Sequence, residues 1–126
     1  MNTSPLELLA RIVLPEEVLE YFDIIDIHQD DIEIHIHLDE KVSKELKTNS
    51  NFESKGFLPE VTITDFPIRD HKVLLKIRRR RWIDLSTGKS FSNTISLTAE
   101  GTRYSKEFAS FLKETYGCFP DNLPYA

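Results

Sequence analysis

The chain is poor in residues that carry chemistry by themselves. Its 126 residues include one cysteine, Cys118, and only four glycines. One thiol allows neither an internal disulfide nor a thiolate metal cage, so no structural zinc is expected. Cys118 also lacks an evident activating base nearby in sequence. There is no glycine-rich phosphate loop, no Gly-x-Ser-x-Gly elbow and no His-Glu-x-x-His helix, so no catalytic residue and no cofactor is assigned. No apolar run approaches the roughly 18 residues a membrane span needs, and no partner membrane is expected. No charged-then-apolar start precedes a cleavage site, so a soluble, cytoplasmic chain without a leader is the expectation.

Charge is present but unevenly placed. The net charge is -5. Up to residue 40 there is one base, Arg11, against eleven acids; residues 41–70 are balanced, with five of each. Residues 71–126 carry ten bases and five acids, so an acidic front precedes a basic back. At 40% hydrophobic content the length suits one small domain over 1–126. It divides into acidic helices and a first strand (1–47), a hairpin region with a basic strand (56–97) and a C-terminal helix (98–117).

Periodicity supplies the elements. Leu6, Leu9 and Val13 share one helical face, and Pro15 restarts a second helix with Glu16 and Glu17 in its first turn. Val18, Leu19 and Phe22 are expected to pack inward. From Asp31 to Asp39 the alternation is strict, with Ile32, Ile34, Ile36 and Leu38 on one face of a half-buried strand. Residues 40–56 read as a polar loop. Val61 to Phe66 reads as a strand closed by Pro67, followed by a turn at Asp70-His71. A long strand then starts at Lys72 and runs through Trp82. Thr87-Gly88-Lys89 signals a turn, and Phe91 to Leu97 is expected to return as a paired strand. Tyr104, Phe108, Phe111, Leu112 and Thr115 mark a final amphipathic helix from about Thr98 to Tyr116, stopped by Gly117. The result is an α+β domain on a small antiparallel β-sheet, flanked by N-terminal and C-terminal helices.

The densest feature is RRRRWIDLSTGKSF, from Arg78 to Phe91. Arginine stays charged and forks two donors onto phosphate or carboxylate. Alternation along a strand sets Arg78 and Arg80 on one side with Trp82, and Arg79 and Arg81 on the other. One reading spends a pair of arginines on the acidic front and leaves the other solvated. The other makes them a phosphate-contacting edge, extended by Lys72, Lys76 and Lys89, with Trp82 as a stacking plate or a core anchor. His35 and His37 share a strand face at a spacing able to chelate, flanked by Glu33 and Asp39, but read as solvated or ion-paired, and no metal site is assigned.

Three segments carry a family resemblance: LPEEVLEYFDI (14–24), ESKGFLPEVTITDFPIRDHKVLLKIRRRRWIDLSTGKSF (53–91) and LTAEGTRYSKEFASFLKE (97–114). Over Leu14 to Tyr116 the chain resembles the N-terminal region of a bacterial insertion-sequence transposase of the ISAon-one type. Arg80, Arg81, Trp82, Gly88, Lys89 and Phe91 also look like the zinc-ribbon half of the wider ISL-three type. The family's ligand positions fall here on Asp84 and Thr87, with no upstream Cys-x-x-Cys. The resemblance therefore implies a zinc-ribbon-like hairpin lacking metal, held by apolar packing and the terminal helices. It further implies a non-catalytic module that contributes to binding DNA at transposon ends. Strand transfer would come from a catalytic RNase H-like domain encoded separately or joined by frameshift. The alternative is a protein-interaction or assembly module, such as a homodimer, whose basic strand pairs with acidic protein surface. If the run neutralises four phosphates, log affinity for a DNA duplex should fall with log salt at a slope of about -3.6, a slope lost on replacing Arg78 to Arg81 with alanine.

Overall fold

The computed structural model describes residues 4–116. Gly117, expected as a helix stop, and Cys118 lie outside the described residues. The architecture is α+β, with antiparallel-rich sheets and short helices, as the periodicity predicts. Helix α1 (Pro5–Val13) is capped by the Ser4 hydroxyl, which accepts from the Glu7 N–H at 3.2 Å. Helix α2 (Glu16–Tyr21) follows, with Pro15 as its N-cap. Val18 and Phe22 are buried as expected, but Leu6 and Leu9 stay exposed and α1 buries no residue.

Strands β1 (Phe22–Gln29) and β2 (Glu33–Glu40) form an antiparallel hairpin. The alternating segment is indeed a strand, with Ile36 and Leu38 buried, but Ile32 falls in the preceding turn and is exposed. β1 is an addition to the expected elements. Its isoleucines gave no clean alternation because a bulge between Ile24 and Asp26 shifts the register of this edge strand. Within the expected loop 40–56, a short helix α3 (Lys44–Lys47) and strand β3 (Phe52–Phe57) form instead.

Strand β4 (Val61–Ile68) runs past Pro67, because a register shift between Asp65 and Ile68 removes the need for a ladder N–H there. Arg69 and Asp70 both take positive φ, 51° and 64°, the geometry of a tight two-residue hairpin. Strand β5 (His71–Arg78) then returns antiparallel to β4 and parallel to β2. The first sheet is ordered β1-β2-β5-β4 and is therefore mixed, not purely antiparallel. Ile36 opposite Leu75, Leu38 opposite Ile77 and Ile63 opposite Leu75 build one apolar face. Leu14, Val18, Phe22, Ile95 and Leu97 complete that core.

The long basic strand does not persist. It breaks at Arg79, and strand β6 (Arg80–Asp84) joins a second sheet, ordered β3-β6-β7, with strand β7 (Lys89–Phe91). The return strand expected to Leu97 ends at Phe91; beyond it, Ile95 and Leu97 enter the core from irregular backbone. Helix α4 (Lys106–Tyr116) starts later than expected. Residues 98–105 instead fold over the β4 edge, where the Thr64 N–H donates to the Arg103 carbonyl at 2.8 Å and the Ser105 N–H to the Thr64 carbonyl at 2.9 Å. Gly101, at φ 76°, permits the turn that makes this possible. Phe108 of α4 packs on Phe66 with ring centroids 5.0 Å apart.

Trp82 is 2% exposed, a core anchor and not a stacking plate, set between Ser54 of β3 and Phe91 of β7. Its indole Nε1–H has no acceptor among the described residues. Trp82→Ala should therefore lower unfolding free energy by about 3–5 kcal/mol. Trp82→Phe, which removes that unpaired donor along with volume, should cost distinctly less. Urea midpoints of both variants check the order.

Candidate functional site

The break at Arg79 redistributes the arginines. Arg78 ends β5 beside the end of β2, and its Nε donates to Asp39 Oδ1 at 2.6 Å in a two-pronged pair. That hydrogen bonding, followed by the charges of Asp39 and Glu60, raises the Arg78 pKa. The Arg80 backbone N–H donates to Glu40 Oε1 at 2.9 Å, and its Nε donates to the Glu40 carbonyl at 2.8 Å. Both guanidiniums sit over the Phe57 ring, at 4.4 Å for Arg78 and 4.8 Å for Arg80. Arg81 Nε donates to the Lys55 carbonyl at 3.2 Å. Three of the four arginines thus have internal partners, two of them in the acidic front, and no flat four-arginine edge exists.

Arg79 goes elsewhere. Together with Lys72, and with Arg103 from the 98–105 segment, it lines an open groove of about 670 Å³ beside β4 and β5. Thr62, Thr64, Thr98 and Thr102 supply hydroxyls around Leu74, and among the described residues no carboxylate lines the groove. Three cations and several hydroxyls, with no carboxylate among the described lining residues, form a site for an anion or a polyanion backbone. Lys76 lies on the same sheet face but donates to Thr62 Oγ1 at 3.0 Å and lines a different depression, shared with Asp26, Asp39 and Glu60. Lys89 is exposed at the start of β7 and does not line the groove.

Arg103 was missed because residues 98–105 read as helix in the sequence. The signal against that reading was Gly101, a residue that weakens a helix interior and accepts positive φ. The expected pairing of Arg78 with Arg80 holds, since both guanidiniums meet the Phe57 ring, whereas Arg79 and Arg81 go to different neighbours.

The β6–β7 turn is organised around Asp84. Its Oδ1 accepts from the Ser86 hydroxyl at 2.7 Å, the Ser86 N–H at 3.0 Å and the Asn51 amide at 2.5 Å. The Ser86 hydroxyl and these further donors lower the Asp84 pKa. Phe52 and Phe91 meet edge-on at 4.9 Å across the same small sheet. Hydrogen bonds about Asp84 thus join the apolar packing of Trp82, Phe52 and Phe91 in closing this hairpin.

Two carboxyls are buried among the described residues. Burial raises the pKa of Glu40, offset in part by the Arg80 N–H, the Arg79 and Arg80 charges and Asn93. Burial also raises that of Asp65, whose Oδ1 accepts from Ser105 Oγ at 2.6 Å where the 98–105 segment meets α4.

No family model matches the chain, and neither a curated protein nor a solved structure matches it.

Because the native pKa of Asp65 lies above its unfolded value, the folded state holds the proton more tightly. Its contribution to stability therefore falls as pH rises from the ordinary carboxylate range through the elevated native pKa. Asp65→Asn keeps an acceptor for Ser105 and removes this loss. The stability difference between Asp65→Asn and wild type should grow in the variant's favour from about pH 5 to about pH 8, read from urea unfolding at each pH.

Proposed function

We propose that this chain is a non-catalytic DNA-contacting module, of the kind that stands at the front of an insertion-sequence transposase and helps hold the ends of its element. The observation that carries the reading is the groove in which Lys72, Arg79 and Arg103 converge with no carboxylate among the described lining residues. Such a groove suits a phosphate backbone, because positive charge and hydroxyl donors position a duplex without reading its sequence. The β6–β7 hairpin takes the place of the family's zinc ribbon, with the Asp84 hydrogen bonds standing where metal ligands would be. Strand-transfer chemistry belongs in this reading to a catalytic domain supplied in fusion or in trans.

Assembly with another protein chain is a second reading, favoured by α1, whose Leu6, Leu9 and Ile12 are more than half exposed. Self-association at low salt without DNA would point to it.

With only Arg79 of the run available, the salt slope expected from three groove cations is about -2.7, shallower than the run alone suggested. The Lys72→Ala/Arg79→Ala/Arg103→Ala variant should lose most of that slope for a labelled duplex. Arg78→Ala, which breaks an internal pair outside the groove, should keep it. Equal salt dependence in the triple variant and wild type would refute the groove assignment.

A further inference from the structure

The sequence places His35 and His37 on one strand face, and β1 adds a third imidazole that the linear pattern concealed. In the β1–β2 register His28 stands opposite His35, with His37 on the diagonal. His28 Nε2 and His37 Nε2 face each other at 2.9 Å. The His35 ring stacks on His28 at 4.8 Å between centroids, 15° from parallel, and His37 lies 5.0 Å from His28. We propose that His28 and His37 form a two-imidazole site for a borderline divalent transition ion such as Zn²⁺ or Ni²⁺.

Three features support it. First, two ring nitrogens at hydrogen-bond distance share one proton when both rings are neutral, and a metal ion can replace that proton with both lone pairs as ligands. Zn–N bonds of about 2.0–2.1 Å put two tetrahedral donors roughly 3.3 Å apart, so the pair opens by only a few tenths of an ångström. Second, Glu60 Oε2 lies 3.6 Å from His37 Nδ1, a carboxylate placement that favours the Nδ1–H tautomer, the one that leaves Nε2 free to ligate. Third, His35 stacked on one side limits rotation of the His28 ring, with its own Nε2 turned to Glu33 Oε1 at 3.3 Å.

Water would complete the shell, because the site is open on the sheet's polar face. Imidazole donors without thiolate select Zn²⁺, Ni²⁺ or Cu²⁺ over Mg²⁺ or Ca²⁺. Beside it, Asp30, Glu33 and His35 offer ligand atoms within 4.8 Å of one another. Asp30 Oδ1 there accepts the N–H groups of Ile32 and Glu33 at 2.8 and 2.7 Å. This site lies on the β1–β2 side of the sheet and is independent of the groove beside β4 and β5.

Calorimetric titration of the full chain, freed of any affinity tag, with ZnCl₂ and separately NiCl₂ tests the proposal. Saturable binding of one ion per chain is expected. His28→Ala and His37→Ala should each weaken it by more than about tenfold, and Glu60→Gln by about tenfold through the His37 tautomer. His71→Ala should leave it unchanged, since His71 Nε2 bonds Gln29 at 3.2 Å away from the pair. Circular dichroism confirms that each variant stays folded. No saturable uptake, or equal affinity in the His28→Ala/His37→Ala double variant, would overturn the site.

Discussion

The structure depends on how Glu40 receives Arg80. Glu40 closes β2 in the first sheet and is 2% exposed. Arg80 opens β6 in the second; its backbone N–H donates to Glu40 Oε1 and its Nε to the Glu40 main-chain carbonyl. A buried carboxyl needs hydrogen bonds, and the one to Oε1 comes from the point at which the chain changes sheets. The chain leaves β5 at Arg79 in a direction that gives Glu40 Oε1 a backbone donor. Leu58 reinforces the junction by donating its N–H to the Arg79 carbonyl at 2.7 Å.

That junction determines how the charges are used. Asp39 and Glu40, the last acids of the front half, hold Arg78 and Arg80, and Phe57 lies beneath both guanidiniums. The opposition of acidic front and basic back is thus partly consumed inside one chain. What remains for an external anion is Arg79, turned to the other side of the junction toward Lys72 and Arg103. The two readings of the arginine run, internal pairing and an outward basic surface, apply to different members of it.

Much of this was legible in the sequence. The Glu33–Leu38 alternation, the apolar face of Val73, Leu75 and Ile77, and the Phe108–Leu112 helix face all follow from periods of two and 3.6. Less legible were features that depend on contacts distant in sequence. β1 is bulged and β3 carries Lys55 and Gly56, so neither alternates cleanly; each forms because a partner strand supplies its ladder. The break at Arg79 leaves no local mark, since arginine itself does not end a strand, and Glu40, which receives the Arg80 N–H, lies some forty residues earlier. Arg103 reaches the groove only because the turn at Gly101 folds 98–105 onto β4. The histidine pair likewise needed the β1–β2 register to bring His28 to His37.

The central claim, that neighbouring arginines have separate duties, is tested most directly by comparing the stabilities of Arg79→Ala and Arg80→Ala. Arg80→Ala deletes a charge-assisted hydrogen bond to Glu40 and a ring contact, and should cost about 1.5–3 kcal/mol in urea unfolding. Arg79→Ala should cost clearly less, because its side chain faces the groove and reaches Glu40 through its charge alone. Equal losses, or a larger loss at Arg79, would contradict the account.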